Sequence, residues 1–314
     1  MLDQVDTDVM RAIADYGPLT LSELSRTLGW SKSMVLKRVR KLESLGLIRV
    51  RDEGGVIIIS PGGSRAKAPA VIGIVRASEY PYIMRLVKKL SERYGSVTVK
   101  VYDDALQEAM DLAAGRIQLA MAPAITLVTL NRLTAGSVHI VGGGSQGGAG
   151  IVTGRGELGH ATSRMSSMEL CAEVSRLEPP RVYANSGDSI LDMALRGQVR
   201  EAVIWEPYLS IAERRGLKVE QCDLETCCLL GANSSLEGEY DRIAKAMEEA
   251  VSEVREADLQ AYANLVRMPY ELVSESVRSY SFLERPDREV LRRLLPYMRS
   301  VALPSSAVSE AVRA

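Results

Sequence analysis

Residues 31–46 read SKSMVLKRVRKLESLG, a helix whose two ends are legible in its residues. Ser31 can accept from backbone N–H groups of the first turn, and Gly46 can adopt the left-handed conformation that closes a helix. Val35, Val39 and Leu42 fall on one stripe at helical spacing, which leaves Lys32, Ser33, Lys37, Arg40 and Lys41 off that stripe. One face packs and the other is basic. From Ser31 to Arg51 there are seven basic residues (Lys32, Lys37, Arg38, Arg40, Lys41, Arg49 and Arg51) against one acid, Glu43, in a chain of net charge −1. A positive field concentrated on so small a surface attracts the phosphate backbone and releases its counterions. A charge run alone more often marks a solvated helix face, so the neighbouring segments decide.

Upstream, Asp6 to Tyr16 carries Val9 and Ile13 at helical spacing and breaks at Gly17-Pro18. Thr20-Leu21-Ser22-Glu23 has the form of a capping box, and the short helix it opens runs to Leu28 before Gly29. Gly29-Trp30 turns tightly into Ser31. Downstream, Leu47 to Arg51 and Val56 to Ile59 are β-rich runs joined by Asp52-Glu53-Gly54-Gly55, a hairpin. Helix, helix, tight turn, basic helix and hairpin make a helix-turn-helix with a wing. Residues 5–64, through GPLTLSELSRTLGWSKSMVLKRVRKLESLGLIRV and the wing after it, resemble the winged-helix family, its MarR-like and Lrp-like members in particular. That resemblance implies a third helix in the major groove and a wing along the backbone of double-stranded DNA. Base-edge contacts then fall to Ser31, Lys32, Ser33 and Lys37, and phosphate contacts to Arg38, Arg40, Arg49 and Arg51, with Lys41 on the same basic segment. Some winged helices bind protein instead, because a fold alone does not fix a function.

The 314 residues, 46% hydrophobic and 25% charged, suit an ordinary soluble protein of two or three domains. The first ten residues, MLDQVDTDVM, are acidic and lack the apolar run of a signal peptide or anchor. The longest apolar stretch, Ile117 to Leu130, is interrupted at Gln118, Pro123 and Thr126 and is too short to span a bilayer. A cytoplasmic protein is expected. Four cysteines (Cys171, Cys222, Cys227 and Cys228) are too few for a disulfide framework at this length and read as reduced thiols. Cys222, Cys227 and Cys228 would make a metal or redox site only without the usual C-x-x-C spacing, and His139 and His160 are far away in sequence. Free cysteine also behaves as a small buried hydrophobe, so no metal and no cofactor are expected.

Pro61 to Pro69, PGGSRAKAP, is a linker by composition, giving a DNA-binding domain over 1–62, a linker over 63–69 and a second domain over 70–314. Ala70 to Val75 reads as a buried strand, and Pro81 to Tyr94 as a helix with Ile83, Leu86, Val87, Leu90 and Tyr94 on one face. Val97, Val99 and Val101 alternate as a strand. Strand, helix, strand indicates a parallel α/β sheet. Asp104 to Gly115, Ile117 to Met121 and Pro123 are then echoed by Ser189 to Gly197, Val199 to Trp205 and Pro207. Each copy is a helix closed by glycine, a short strand and a proline loop. Two such units suggest two similar lobes whose strand ends face a cleft, where open α/β sheets bind ligands. Residues 70–314, through GIVRASEYPYIMRL, DLAAGRIQLAMAP, GGAGIVTGRG, ANSGDSILDMALRGQ and VIWEPYL, look like a type 2 periplasmic-binding-protein fold, nearest the nitrate, sulfonate, taurine and thiamine-pyrimidine binding branch. The resemblance implies lobe 1 over about 70–148 and 230–314, lobe 2 over about 149–229, a crossing near Gly147 to Gly150 and a return near Leu229 to Asn233. Gln118 stands where that family often has an aspartate.

Gly142, Gly144 and Gly147 satisfy G-x-G-x-x-G, but a strand pattern follows and no lysine completes a phosphate loop, so a glycine-rich hinge between lobes is the better reading. The ligand-binding candidates are Ser78, Glu79, Tyr80 and Tyr82 after the first strand, Pro123 and Ala124 after the second unit, and Ser145 at the crossing. Lobe 2 adds Asn185, Ser186, Asp188 and Ser189 at a helix start, and Trp205, Glu206 and Tyr208 on the last loop. Aromatics are only 5% of the chain, so the grouping of Tyr80, Tyr82, Trp205 and Tyr208 is informative, although such side chains also fill cores. The helix start suits an anion and the carboxylates suit a heteroaromatic ligand. No Ser-His-Asp or Cys-His set emerges. The expected function is transcription regulation by a dimer that binds DNA and senses a small molecule between two lobes. The alternative is an enzyme of cofactor biosynthesis on the binding-protein fold, with the winged helix as a regulatory or oligomerisation module.

Overall fold

The computed structural model describes residues 3–16, 18–45, 47–53, 55–61, 70–297 and 303–314, and the chain forms two compact units, Met1–Ala68 and Pro69–Ala314. Gly17, Gly46, Gly54, the expected linker 63–69 and Met298 lie outside the described residues.

The first unit runs α1 (Gln4–Tyr16), β1 (Leu19–Thr20), α2 (Leu21–Leu28), α3 (Lys32–Ser44), β2 (Ile48–Glu53) and β3 (Val56–Pro61). Its helix ends follow from local chemistry. Thr20 accepts from the Glu23 amide while Glu23 accepts from the Thr20 amide, so two orphan donors are satisfied reciprocally. Ser31 accepts from the Met34 amide at 3.4 Å and starts α3. Val9, Ile13, Leu24, Val35, Val39, Leu42 and Ile59 are fully buried and form one core. The wing is an antiparallel pair, Ile48 opposite Pro61 through Glu53 opposite Val56. β1 adds a third strand, with Leu19 opposite Ile59. Two residues show no periodicity, which is why the sequence gives no sign of that strand.

The second unit begins β4 (Ala70–Val75), α4 (Ile83–Tyr94), β5 (Val97–Tyr102), α5 (Ala105–Ala113), β6 (Leu119–Pro123), α6 (Ala124–Leu133) and β7 (Val138–Gly147). It crosses to β8 (Ala149–Thr153), β9 (Leu158–Thr162), α7 (Ser167–Val174), β10 (Arg181–Tyr183), α8 (Gly187–Leu195), β11 (Val199–Trp205), α9 (Tyr208–Arg214) and β12 (Lys218–Gln221). It returns as β13 (Cys228–Asn233), α10 (Tyr240–Ser252), α11 (Glu256–Val266), α12 (Tyr270–Ser276), β14 (Tyr280–Leu283), α13 (Arg288–Leu294) and α14 (Ser306–Ala311). Lobe 1 is built on a six-stranded sheet, β14-β7-β13-β6-β4-β5, and lobe 2 on a five-stranded sheet, β10-β9-β11-β8-β12.

Only part of each sheet is parallel. β4 pairs parallel with β5 and β6, and β9 with β10 and β11, while the strands flanking the two crossings run antiparallel. The return crossing falls at 222–227, ahead of the expected Leu229, because β13 already belongs to the lobe 1 sheet from Cys228. The repeated units share their geometry: α5 and α8 both end at a left-handed glycine, Gly115 and Gly197. The proline loops expected after β6 and β11 are instead abrupt strand-to-helix junctions, with α6 starting at Ala124 and α9 at Tyr208. The glycine run is also reassigned. Gly144 lies within β7, where a Cβ would come within 2.0 Å of the Cys228 carbonyl oxygen, so it serves close strand packing. Gly147 and Gly148, both at positive φ, make the crossing itself. Among the described residues, no helix is long and apolar enough to cross a membrane. α14 buries Ala307, Val308 and Ala311 within lobe 1, against α6, so that face is committed to the fold.

Candidate DNA interface and interlobe cleft

On α3 the buried stripe Val35, Val39 and Leu42 turns Ser31, Lys32, Ser33, Lys37 and Arg40 to the exposed side. Arg38 and Lys41 have another employment. Lys41 Nζ lies 2.5 Å from Asp6 Oδ2, and Arg38 Nη1 lies 2.6 Å from Asp3 and 3.2 Å from Asp6. The Asp6 side chain is fully enclosed, and its hydrogen bond from Lys41, against the opposing effect of burial, pulls its pKa down to about 2. Both cations therefore brace α3 to α1, in place of an open phosphate-facing position. Arg49 and Arg51 are on β2, and their side chains lie outside the described residues.

In the second unit the carboxyl ends of β4, β6 and β11 meet the start of α7 and the return crossing. They line a half-open pocket of about 30 Å³ formed by Glu79, Tyr80, Pro123, Ser163, Ser166, Ser167, Met168, Trp205, Cys227 and Cys228, with Val75, Ala77 and Ala105. The lobes are tied around it. Trp205 Nε1 donates to the Arg76 carbonyl oxygen at 3.1 Å, the Ser78 amide donates to the Glu206 carbonyl at 3.2 Å, and Ser167 Oγ donates to the Cys227 carbonyl at 3.0 Å. Thr126 Oγ1 also donates to the Met165 carbonyl.

Of the candidates read from sequence, Glu79, Tyr80, Pro123 and Trp205 line this cavity. Ser145 stands behind it, donating to Glu79 Oε1. Asn185 and Ser186 line a separate opening of about 410 Å³ with Lys100, Asp103, Asp104 and Gln107 of lobe 1. The others have structural duties. Ser78 accepts from Ser276 Oγ at 2.9 Å, the Ala124 amide donates to the Cys227 carbonyl, and Tyr82 is buried edge-to-face against Tyr80 and Phe282. Glu206 accepts from Ser210 and Ser279, Asp188 accepts from Tyr208 Oη at 3.1 Å, and Ser189 bonds to Ser186 at the head of α8. Tyr208 packs edge-to-face on Trp205. These residues shape the walls without facing the space.

The sequence reading missed Ser163, Ser166, Ser167, Met168, Cys227 and Cys228. Ser166 caps α7 by accepting from the Met168 and Glu169 amides, and S-R-M-S-S-M-E, with serine three residues ahead of an acid, is a capping signal that was there to be read. The cysteines correct an expectation: Cys171 and Cys222 form a disulfide, with Cα atoms 6.1 Å apart, and only Cys227 and Cys228 are free. The end of β12 folds back over α7, a proximity with no trace at a separation of 51 residues. Cys227 Sγ and Cys228 Sγ are 3.6 Å apart, Tyr80 Oη donates to Cys228 Sγ at 3.2 Å, and a Glu79 carboxylate oxygen joins them within 4.8 Å. Burial pushes the Glu79 carboxyl and the Cys228 thiol above their ordinary ranges. Gln118 holds the start of β4, accepting from the Val71 amide at 3.1 Å. The histidines lie outside the cavity: His139 Nδ1 meets Tyr240 Oη at 3.1 Å, and His160 Nδ1 meets the Glu178 carbonyl oxygen at 3.0 Å.

Residues 2–49 match the family of winged helix-turn-helix DNA-binding segments. An uncharacterised HTH-type transcriptional regulator of Pyrococcus furiosus is 42% identical over 48 residues, which is 15% of this chain; the match spans 31% of that relative's length. Among solved structures, the ligand-binding component of an ABC-type import system from Staphylococcus aureus, with zinc bound, superposes with a TM-score of 0.62 at 15% identity, covering 79% of this chain and 100% of that one. The alkanesulfonate-binding protein SsuA of Xanthomonas axonopodis pv. citri, bound to MOPS, gives 0.63 at 16% identity over 78% of this chain and 98% of that one. The periplasmic aliphatic sulphonate-binding protein SsuA of Escherichia coli gives 0.60 at 16% over 78% and 92%. These likenesses show a fold. The chain thus joins a winged helix-turn-helix DNA-binding unit to an α/β unit of the periplasmic-binding-protein type.

Proposed function

We propose that this chain, a winged helix-turn-helix joined to a binding-protein fold, is a transcription regulator in which occupancy of the interlobe cleft sets the affinity of the winged helix for DNA. The observation that carries the reading is the cleft itself. Strand ends from both lobes converge on one half-open pocket, and Trp205 and Ser167 fasten the lobes beside it. A ligand that prefers this closed arrangement shifts the equilibrium towards it, whereas equal affinity for open and closed states would shift nothing.

The DNA-reading residues of this proposal are Ser31, Lys32, Ser33, Lys37 and Arg40 of α3, the exposed part of its basic face. The wing follows the backbone through Arg49 and Arg51. Two copies of the chain would place two such helices in successive major grooves, the arrangement that multiplies specificity in helix-turn-helix proteins. The regulator in Pyrococcus furiosus supports the role of the first unit, and the sulfonate-binding structures support ligand capture by the second. The test is DNA affinity of the full chain, measured on genomic fragments it enriches, for the wild type and for variants of the cleft. An affinity indifferent to every cleft variant would refute the reading.

A further inference from the structure

The cavity is too small for the organic ligands that binding-protein clefts enclose. At about 30 Å³ it has room for an ion and one or two waters, against several hundred Å³ for a typical organic ligand site. What lines its floor is equally specific. Glu79, Cys227 and Cys228 are 2%, 3% and 4% exposed, and one ligand atom from each lies within 4.8 Å of the other two. Successive side chains on a strand point to opposite faces. Here Cys227 sits just before β13 and Cys228 is its first residue, so the break in the pleat at the crossing lets both sulfurs line one space.

We propose that Glu79, Cys227 and Cys228 form a binding site for a thiophilic d10 cation of the zinc and cadmium class, and that this ion is what the cleft closes on. The geometry fits without rebuilding. Two thiolates at about 2.3 Å from one tetrahedral zinc stand about 3.8 Å apart, and the two sulfurs are 3.6 Å apart as they are. A carboxylate oxygen is the third donor, and the Met168 thioether or a water is available for the fourth from the same cavity. Two soft sulfurs and one oxygen favour zinc and cadmium over magnesium or calcium. An outer layer holds the donors: Ser145 Oγ donates to Glu79, the Cys227 amide donates to the Ser145 carbonyl at 2.9 Å, and Tyr80 Oη donates to Cys228. Such outer partners orient metal ligands and are costly to remove.

The site also explains how an ion would act on the lobes. Glu79 follows β4 of lobe 1, the cysteines lie on the return crossing, and Met168 is on α7 of lobe 2, beside the Ser167 hydroxyl that is bonded to the Cys227 carbonyl. Glu79 and both cysteines are held on the lobe 1 side, so a fourth donor from Met168 is what would tie the ion to closure of the lobes. Plain buried thiols account for less, because they give no reason for a carboxyl group sealed in beside them.

The inference rests on the cleft being the sensory site, and one experiment separates the two. The full chain, treated with chelator and kept free of thiol-oxidising agents, is titrated with Zn²⁺ against a chromophoric chelator and with Cd²⁺ while ultraviolet sulfur-to-metal charge transfer is followed. The expected result is one ion per chain, a charge-transfer band, and at least about a hundredfold weaker binding in Cys227→Ser/Cys228→Ser. Glu79→Gln, which leaves both thiols in place but removes a direct donor, should keep the band and bind at least about tenfold more weakly, the lower end of what losing even an outer partner costs. Absence of stoichiometric uptake, or uptake that survives the double serine variant, would overturn the site. DNA affinity is measured on the same samples. Uptake with unchanged DNA affinity would uphold the site and sink the regulatory reading, whereas no uptake together with cleft variants that alter DNA binding would do the reverse.

Discussion

The indole nitrogen of Trp205, at the end of β11, donates to the carbonyl oxygen of Arg76, just past the end of β4, at 3.1 Å. The bond runs from one lobe to the other along the wall of the cavity, and Trp205 is only 7% exposed. Trp205→Phe keeps an aromatic ring against Tyr208 and removes the donor. It should shift the second unit towards an open arrangement, seen as a larger radius of gyration by small-angle X-ray scattering. An unchanged scattering profile would mean that this bond does not hold the lobes together.

Lys37 and Arg40 point from the exposed face of α3, whereas Arg38 is tied to Asp3 and Asp6. A cation that displaces counterions from the duplex, whether it sits at a base edge or on a phosphate, shows itself as salt dependence. Lys37→Ala and Arg40→Ala should each reduce the log–log salt slope of DNA binding by about 1. Arg38→Ala should leave the slope nearly intact and lower the melting temperature of the first unit. Fluorescence anisotropy across a salt series distinguishes them, and a slope that falls only in Arg38→Ala would invert the assignment.

Asp6 and Asp111 anchor acid sensitivity in the two units. Lys41 donates to Asp6, and Tyr102 Oη donates to Asp111 at 2.7 Å with Arg116 and Lys100 beside it. Each carboxylate is pulled to about 2 from an ordinary 3.8. A folded-state pKa below the unfolded one gives stabilisation that is complete above about pH 4 and is lost as pH falls through about 2. Asp6→Asn and Asp111→Asn should be less stable than the wild type at pH 6, and the deficit should shrink towards pH 2. A deficit that stays constant with pH, in thermal unfolding followed by circular dichroism, would remove the ion pairs from the explanation.

Glu108 on α5 has the opposite character. It is completely buried against Gly73, both carboxyl oxygens are without hydrogen-bond partners, and burial raises its pKa well above the ordinary range. A raised carboxyl pKa means that the folded state binds more protons, so stability falls as pH rises past about 4.5. Glu108→Leu, similar in size and apolar, should stabilise the chain by ~1–3 kcal/mol at pH 7, the cost of an unsatisfied buried polar group. The gain should be smaller near pH 4. Destabilisation by the leucine would show that the carboxyl is needed where it is.

How far the molecule could be read from its residues varies along the chain. The winged helix was legible nearly to the residue, because Thr20, Glu23 and Ser31 act through local hydrogen bonds that sequence spacing reveals. The repeat was legible because left-handed glycines, Gly115 and Gly197, close matching helices. The antiparallel strands β7, β13 and β14 were not, since long-range pairing leaves no local mark. The cleft was half legible. Glu79, Tyr80, Pro123 and Trp205 follow strand ends, where the topology of open sheets points, whereas Cys227 and Cys228 enter through a crossing placed several residues too late. Arg38 and Lys41 carry charge like their neighbours, and only Asp6 on a different helix reveals their separate role.

The most direct test of the account compares DNA affinity of the full chain and Trp205→Ala at one salt concentration, on a genomic fragment enriched by the wild type. If the state of the cleft sets the winged helix's hold on DNA, the two should differ by at least about fivefold, the lower end of ordinary allosteric coupling. Equal affinities, with scattering showing that Trp205→Ala has opened the lobes, would contradict it.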